Sequence, residues 1–333
     1  MPWITCASCR NGRWREIRKR PALSWRHSPK APKSRAGDPR PVIRYPISLQ
    51  ELEKRVQAAV PGWLEEAARR TERFRELGRY EEDESTWGEV KRVFMDLQRE
   101  KCAYCERRLS GQRFGSVEHD VEHYRPKSTV RVWPARRIER ERGLHYDFAT
   151  GSDLPAGYYL LAYQLFNYAI ACKTCNTSLK GSFFPIAAER LPGSLDPVEL
   201  RAERPFLLYP LGELDEDPEE ILTFNGINPV PKIREGHPMR RAIVTIDFFA
   251  LDERGDLLCG RAETIRSLYL ALLWKERADS PLGDLADRAV VSLLSSASEH
   301  ASCARCFHDL YRRDPQRAAE LAQIAQNYID SRS

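Results

Sequence analysis

The segment from Cys102 to Ser128 combines residue types that bind metals with residue types that transfer protons. It contains a CxxC pair, two Glu-His pairs four residues apart, and a basic Arg-Pro-Lys. A second CxxC pair stands in ACKTCNTSLKGSFFP. Two such pairs supply four thiolates, enough for a closed tetrahedral zinc site, because the short spacing lets both sulfurs of a turn reach one ion. We therefore predict a structural Zn²⁺ held by Cys102, Cys105, Cys172 and Cys175.

The cysteines of this chain are better interpreted as metal ligands than as disulfide partners, because we expect the protein to lie in a reducing compartment. No apolar run approaches the ~18 residues of a membrane span, and the N-terminus lacks the apolar core of a secretory signal. We expect a cytoplasmic protein that does not bind membranes, in which the nine cysteines stay reduced. Four separate reduced thiols are the alternative to zinc, and the paired spacing disfavours them.

Glu122 and His123 lie in SVEHDVEHY, whose alternation predicts a strand with these two side chains on opposite faces. The zinc would bring Asn176 and Lys180 near them, since both follow the second CxxC pair. A carboxylate and an amide oxygen suit Mg²⁺ or Mn²⁺, with water and a phosphate as further ligands. His123 would then deprotonate a water without holding the metal, because an ordinary imidazole has a pKa near ~6.5.

Four stretches, CAYCE, VEHYRPKS, FNYAIACKTCN and KGSFFP, together resemble the HNH endonucleases of the ββα-metal (His-Me finger) class. The resemblance implies that His123 is the general base and that Asn167 orients the base or its loop. It also implies that Glu122 and Asn176 ligate the catalytic Mg²⁺ or Mn²⁺. Phosphate contacts are implied for Arg125 and Lys180. The expected activity is hydrolysis of phosphodiester bonds in double-stranded DNA.

Several alternatives to this assignment stay open. His119 could be the base, with Glu118 or Asp120 as metal ligand, although the Tyr-Arg-Pro-Lys that follows His123 matches the family pattern. The same site could serve an RNA or tRNA nuclease. A zinc-ribbon nucleic-acid-binding subunit without catalysis is the alternative from a different functional class.

Two later stretches, RPFLLYPLGELDEDPEEILTFNG and TIDFFALDERGDLLCGR, resemble the tail of bacterial retron- and Septu-associated HNH proteins. Proteins of that type act in anti-phage defence, often beside an ATPase partner. The resemblance therefore implies a defence nuclease that works with an ATPase subunit.

Basic residues are concentrated in two places. The chain has a net charge of +5, but residues 1–44 alone carry 12 Lys and Arg against Glu16 and Asp38. That tail could hold nucleic-acid phosphates, or be a disordered extension. The second basic stretch, residues 125–142, lies beside the predicted site, where it would bind phosphate without reading base sequence. Its candidate contacts include Lys127, Arg136 and Arg137.

The fold class expected is α+β, a zinc-braced ββα-metal finger embedded in a mostly α-helical scaffold. We predict four regions: a mostly disordered tail (1–47), a helical scaffold (48–100), the nuclease finger (101–186) and a mostly helical C-terminal region (187–333). Ser48 and Glu51 form a capping box at the start of a helical stretch that runs to about Gly78. The C-terminal region should contain short strands at 204–210 and 221–231, and then helices over 238–278 and 282–331 with Leu268, Leu272 and Leu273 in the core.

A second zinc site is conceivable from a further group of cysteine and histidine residues. The candidate ligands are Cys6, Cys9, His300, Cys303, Cys306 and His308. The alternative is that the last four are packing residues of a helix, because SSASEHASCARCFHDLYRR has good helix propensity.

Overall fold

The computed structural model describes residues 44–109, 118–277 and 282–332. The N-terminal helices are α1 (Leu49–Ala59), α2 (Trp63–Leu77) and α3 (Lys91–Leu97), the last preceded by a 3₁₀ turn at Trp87–Val90. Ser48 caps α1 as predicted, because its hydroxyl accepts a hydrogen bond from the Glu51 amide at 3.1 Å. The expected helical stretch is interrupted between Ala59 and Trp63, where Gly62, the N-cap of α2, has a left-handed φ of 85°.

A two-stranded antiparallel sheet forms the centre of the predicted finger. Strand β1 (His119–His123) pairs with β2 (Tyr168–Cys172), with His123 opposite Tyr168. Helix α4 (Arg136–Arg142) lies in the long connection between the strands. A π-helical segment, Thr174–Lys180, follows β2 almost at once. Apart from the connection that carries α4, the order of these elements is strand, strand, helix.

From Pro218 onward the described chain is mostly helical. Its elements are α5 (Pro218–Ile221), β3 (Leu222–Asn225), β4 (Asn228–Pro231), α6 (Gly236–Phe248), α7 (Gly255–Lys275), α8 (Gly283–Leu294), α9 (Ala301–Arg313) and α10 (Pro315–Asp330). β3 and β4 lie where short strands were expected, over 221–231, and they pair as an antiparallel hairpin. The strand expected over 204–210 is absent from the described structure, where only Pro205 makes a bridge, to Ile186.

The hydrophobic core does not follow the predicted regions. One buried cluster runs from Tyr45 to Leu257 and so includes residues of all four. A second cluster is formed by α7 to α10 with Ile227. Tyr45 is buried and donates its amide to the Pro210 carbonyl at 2.8 Å, so the end of the predicted tail belongs to the folded body. Residues 1–43 of that tail lie outside the described residues.

Core predictions for α7 are correct in part. Leu268 and Leu272 are buried, but Leu273 is 37% exposed because it lies on the opposite face of the helix.

Gly157 should be intolerant of a side chain because the chain passes close to it. It has a φ of +62°, and an added Cβ would stand 2.7 Å from the backbone of Ser128 and Thr129. Gly143 is a matched control, with a φ of +63° but nothing within 4 Å of the Cβ position. We expect Gly143→Ala to lower the free energy of unfolding by about 1 kcal/mol and Gly157→Ala by about 3 kcal/mol or more. Equal losses in urea titrations would contradict the close approach.

Candidate functional site

The four cysteines of the two CxxC pairs come together as predicted. Their Sγ atoms all lie within 4.8 Å of one another, and all four residues are buried and free of disulfides. The Sγ atoms of Cys105 and Cys172 are 3.9 Å apart. A tetrahedral zinc with Zn–S bonds of ≈ 2.3 Å requires about 3.8 Å between sulfurs. The cluster can therefore hold a structural metal such as zinc, and its donor set fits that ion.

Hydrogen bonds donated by backbone amides hold the two CxxC segments against each other. The Ala103 amide donates to the Ile170 carbonyl at 3.0 Å, and the Cys172 amide donates to Cys102 Sγ at 3.4 Å. Hydrogen bonds from Cys102 and the other thiols hold the pKa of the Cys172 thiol well below its ordinary value. Arg254, which sequence analysis missed, donates Nη1 to Cys175 Sγ at 3.3 Å. Its charge partly offsets the charge that clustered thiolates would accumulate.

His123 is held in a buried aromatic cage at the end of β1. Its ring meets those of Trp87 and Tyr168 edge-on, with centroids 4.9 and 5.1 Å away. Burial, with a smaller effect from the Lys127 charge, lowers the pKa of the imidazole well below its ordinary value. Nε2 lies 3.0 Å from the Ala162 carbonyl oxygen. A carbonyl only accepts, so Nε2 carries the proton of the neutral ring and Nδ1 is the basic nitrogen.

Glu122, the residue before His123, is buried and paired. Its carboxylate forms an ion pair with Lys180, and Lys180 Nζ also donates to the His123 carbonyl at 2.8 Å. Burial raises the pKa of Glu122, and the nearby Lys180 ammonium lowers it in part. Lys180 is fully buried, so the expectation that it contacts phosphate is not supported; the structure gives it a carboxylate partner instead.

Asn176 lies in the π-helical segment and faces a different acid of β1 from the one expected. Its Nδ2 is 3.5 Å from Asp120 Oδ2, and Asp120 also pairs with the exposed Lys173. Asp120 and Glu122 are two residues apart on β1 and so share a face of the strand. Carboxylate and amide oxygens are the ligand types that a hard divalent cation such as Mg²⁺ or Mn²⁺ prefers, although the Asn176 atom nearest Asp120 is its Nδ2 and the contact given for Glu122 is with Lys180.

Asn167 fastens the chain just after His123. Its Oδ1 accepts from the Arg125 amide at 2.7 Å, and its Nδ2 donates to the carbonyls of Arg125 and Leu161 at 3.0 and 3.1 Å. These bonds fix the backbone two residues beyond His123.

The side chain of Arg125 points into the core, contrary to expectation. It donates Nε to Glu203 Oε2 at 2.7 Å and Nη2 to the Leu200 carbonyl at 2.9 Å. Glu203 is itself buried and accepts from Tyr158 Oη at 2.7 Å. Arg125 is only 6% exposed, so direct phosphate contact is not supported for it either. No local sequence pattern marks Glu203, which lies 78 positions from its partner.

Other predicted phosphate contacts remain accessible. Lys127 is half-buried, with its Nζ 4.5 Å from the Trp87 ring centroid and 5.1 Å from that of Tyr80. Arg136 and Arg137 are exposed on α4. Lys127 thus places a cation next to His123, and α4 presents cations to solvent.

The alternative base and the second zinc site have different surroundings. His119 is buried at the opposite end of β1, and its carbonyl accepts from Lys91 Nζ at 2.8 Å.

Cys303 and Cys306 lie on α9, where their thiols contact the Gly226 carbonyl and the Thr223 hydroxyl at 3.5 Å. These contacts favour the helix-packing interpretation. Over the described residues, the four clustered cysteines are the one group of three or more His, Cys, Asp or Glu side chains whose ligand atoms converge closely enough to share an ion. Cys6 and Cys9 lie outside those residues.

Comparison with known proteins identifies a defence-system relative. The chain is similar to Septu protein PtuB of Bacillus mycoides (strain KBAB4), with 27% identity over 264 residues, which cover 75% of this chain and 76% of that protein. This similarity confirms the expected likeness to a Septu protein. No family model and no solved structure matches the chain. None of the helices in the described part of the chain is long and apolar enough to cross a membrane.

The thiol cluster predicts a dependence of folding on zinc. Because ligation of a structural metal adds to the free energy of unfolding, Cys105→Ser should lose zinc and about 3 kcal/mol or more of stability. Cys259→Ser is the matched control, since Cys259 lies outside the cluster. Elemental analysis and urea unfolding measure both quantities. A Cys105→Ser protein with wild-type stability would contradict the assignment.

Proposed function

We propose that this chain is a metal-dependent HNH endonuclease that hydrolyses DNA phosphodiester bonds in bacterial anti-phage defence. One observation carries the proposal. His123, buried among aromatic rings, stands beside the acidic Glu122 on a two-stranded antiparallel sheet whose second strand leads into the helical segment bearing Asn176. The similarity to a Septu protein supports the defence role. An ATPase partner subunit is part of the proposal because the resemblance to defence-associated HNH proteins implies one.

The role proposed for His123 is that of general base. Its Nε2–H is engaged by the Ala162 carbonyl, which fixes the ring and leaves Nδ1 to take a proton from the attacking water. Burial lowers the pKa of the imidazole, which favours the neutral ring that can accept a proton but makes it a weaker base than the ordinary imidazole expected from the sequence. The Asn167 bonds to Arg125 keep the chain that follows the base in place.

The acidic face of β1 supplies the proposed metal ligands. Glu122 and Asn176, with Asp120 close to Asn176, would hold Mg²⁺ or Mn²⁺. When bound, such an ion stabilises charge on the scissile phosphate and on the leaving 3′ oxygen. The zinc would not share this role, because four thiolates leave no open position.

The proposal is tested by cleavage assays on plasmid, single-stranded DNA and RNA, with Mg²⁺ or Mn²⁺ and with chelator. Metal-dependent cutting of the plasmid supports it. Cutting of RNA alone would favour the ribonuclease alternative. Binding without cleavage of any substrate, with the ATPase partner present, would favour the non-catalytic subunit.

Replacement of the proposed base should separate chemistry from folding. We expect His123→Ala to lower the cleavage rate by roughly 10²–10⁴-fold, the usual range for a lost general base. His119→Ala, a change to the other histidine of β1, is the control and should retain most activity per folded molecule. The assignment is wrong if His119→Ala has the larger effect in single-turnover assays.

The exposed cations of α4 should affect binding and not metal use. Changing Arg136 and Arg137 together to Ala should weaken duplex binding equally for unrelated sequences and reduce the salt slope by about 2. Changing Arg312 and Arg313, an exposed pair on α9, provides the control. The Mg²⁺ concentration that gives half-maximal rate should stay constant in both variants. A shift in that concentration for the α4 variant would contradict this division of roles.

A further inference from the structure

Lys180 lies in the protein interior, where lysine side chains are rarely found. Its side chain is fully buried, and its ammonium contacts two groups of β1, the Glu122 carboxylate and the His123 carbonyl. A buried charge is destabilising unless a partner of opposite sign compensates it. In the protein without a catalytic metal, each of these two charges therefore compensates the other, the Glu122 carboxylate and the Lys180 ammonium.

The same carboxylate is the strongest metal ligand proposed for this site. A divalent cation at Glu122 would lie close to the Lys180 ammonium, away from solvent, where like charges repel more strongly than in water. Metal and ammonium are therefore competing counter-ions for one carboxylate. The Lys173–Asp120 pair differs, because both of its side chains are substantially exposed and solvent screens them.

We propose that Lys180 is an internal counter-ion that holds Glu122 in the metal-free protein and competes with the catalytic metal for it. This inference rests on the proposed metal site and deepens it by naming what regulates metal binding there. The ammonium keeps the acidic strand folded before metal arrives. The ammonium also lowers the apparent metal affinity, since only the fraction of molecules in which Lys180 has released Glu122 can bind the metal.

The test measures metal binding without any nucleic acid. Full-length, zinc-loaded protein is titrated calorimetrically with Mn²⁺ alone, as wild type, Lys180→Met and Lys180→Gln. Removal of the competing charge should tighten Mn²⁺ binding by about 10-fold or more in both variants. Lys180→Gln retains a hydrogen-bond donor, so it keeps the test valid if Lys180→Met folds poorly.

Lys101→Met is the matched control for the loss of a buried lysine. Lys101 is also fully buried and pairs with a buried acid, Glu106, at 3.2 Å, but it lies outside the proposed metal site. This variant should lose stability without binding Mn²⁺ more tightly. Glu122→Gln identifies the relevant site, because binding there should disappear.

The outcomes separate the inference from the proposed function. Binding that Glu122→Gln abolishes and both Lys180 variants strengthen supports the inference. Equal or weaker binding in the Lys180 variants overturns it and leaves the proposed metal site intact. Absence of Glu122-dependent Mn²⁺ binding in every form would contradict the proposed metal site, and the inference would fall with it.

Discussion

The cluster of four buried thiols is the constraint on which the rest of the site depends. It joins a turn at residues 102–105 to the end of β2, about 70 positions later in the chain. Because β2 is fixed there, β1 pairs with it in one register and places His123 opposite Tyr168. The π-helical segment starts from the same cluster and carries Lys180 back to Glu122. The thiol cluster thus determines where Glu122, His123 and the π-helical segment meet.

Two buried ion pairs also fix the chain around His123. Glu122 pairs with Lys180 and Arg125 with Glu203, and each pair fixes the chain on one side of His123. Removing one member of such a pair usually destabilises a protein strongly, since its partner stays buried and uncompensated. These charges therefore organise the site internally, whereas the cations of Lys127 and α4 stay accessible. This division suits the proposed nuclease, which would hold its base next to a highly charged substrate.

Sequence patterns predicted the features that depend on local spacing. The paired cysteines, the cap at Ser48 and the strand that ends at His123 all follow from residues close together in the chain. The partners of Arg125 and Lys180 did not follow, because a sequence shows a charge but not the distant group that neutralises it. The break before α2 was also missed, but it could have been predicted from local sequence, since Pro61 and Gly62 together mark a helix boundary.

Amide hydrogen exchange, with and without zinc, tests the central claim most directly. If the thiol cluster holds the hairpin and the helical segment together, zinc removal by a chelator should cost β1, β2 and residues 174–180 their protection. Exchange there should accelerate by about 10-fold or more, while α7 to α10, which form their own buried cluster, stay protected. Restoring zinc should restore the protection. Unchanged protection of β1 and β2 after complete zinc removal would contradict the account.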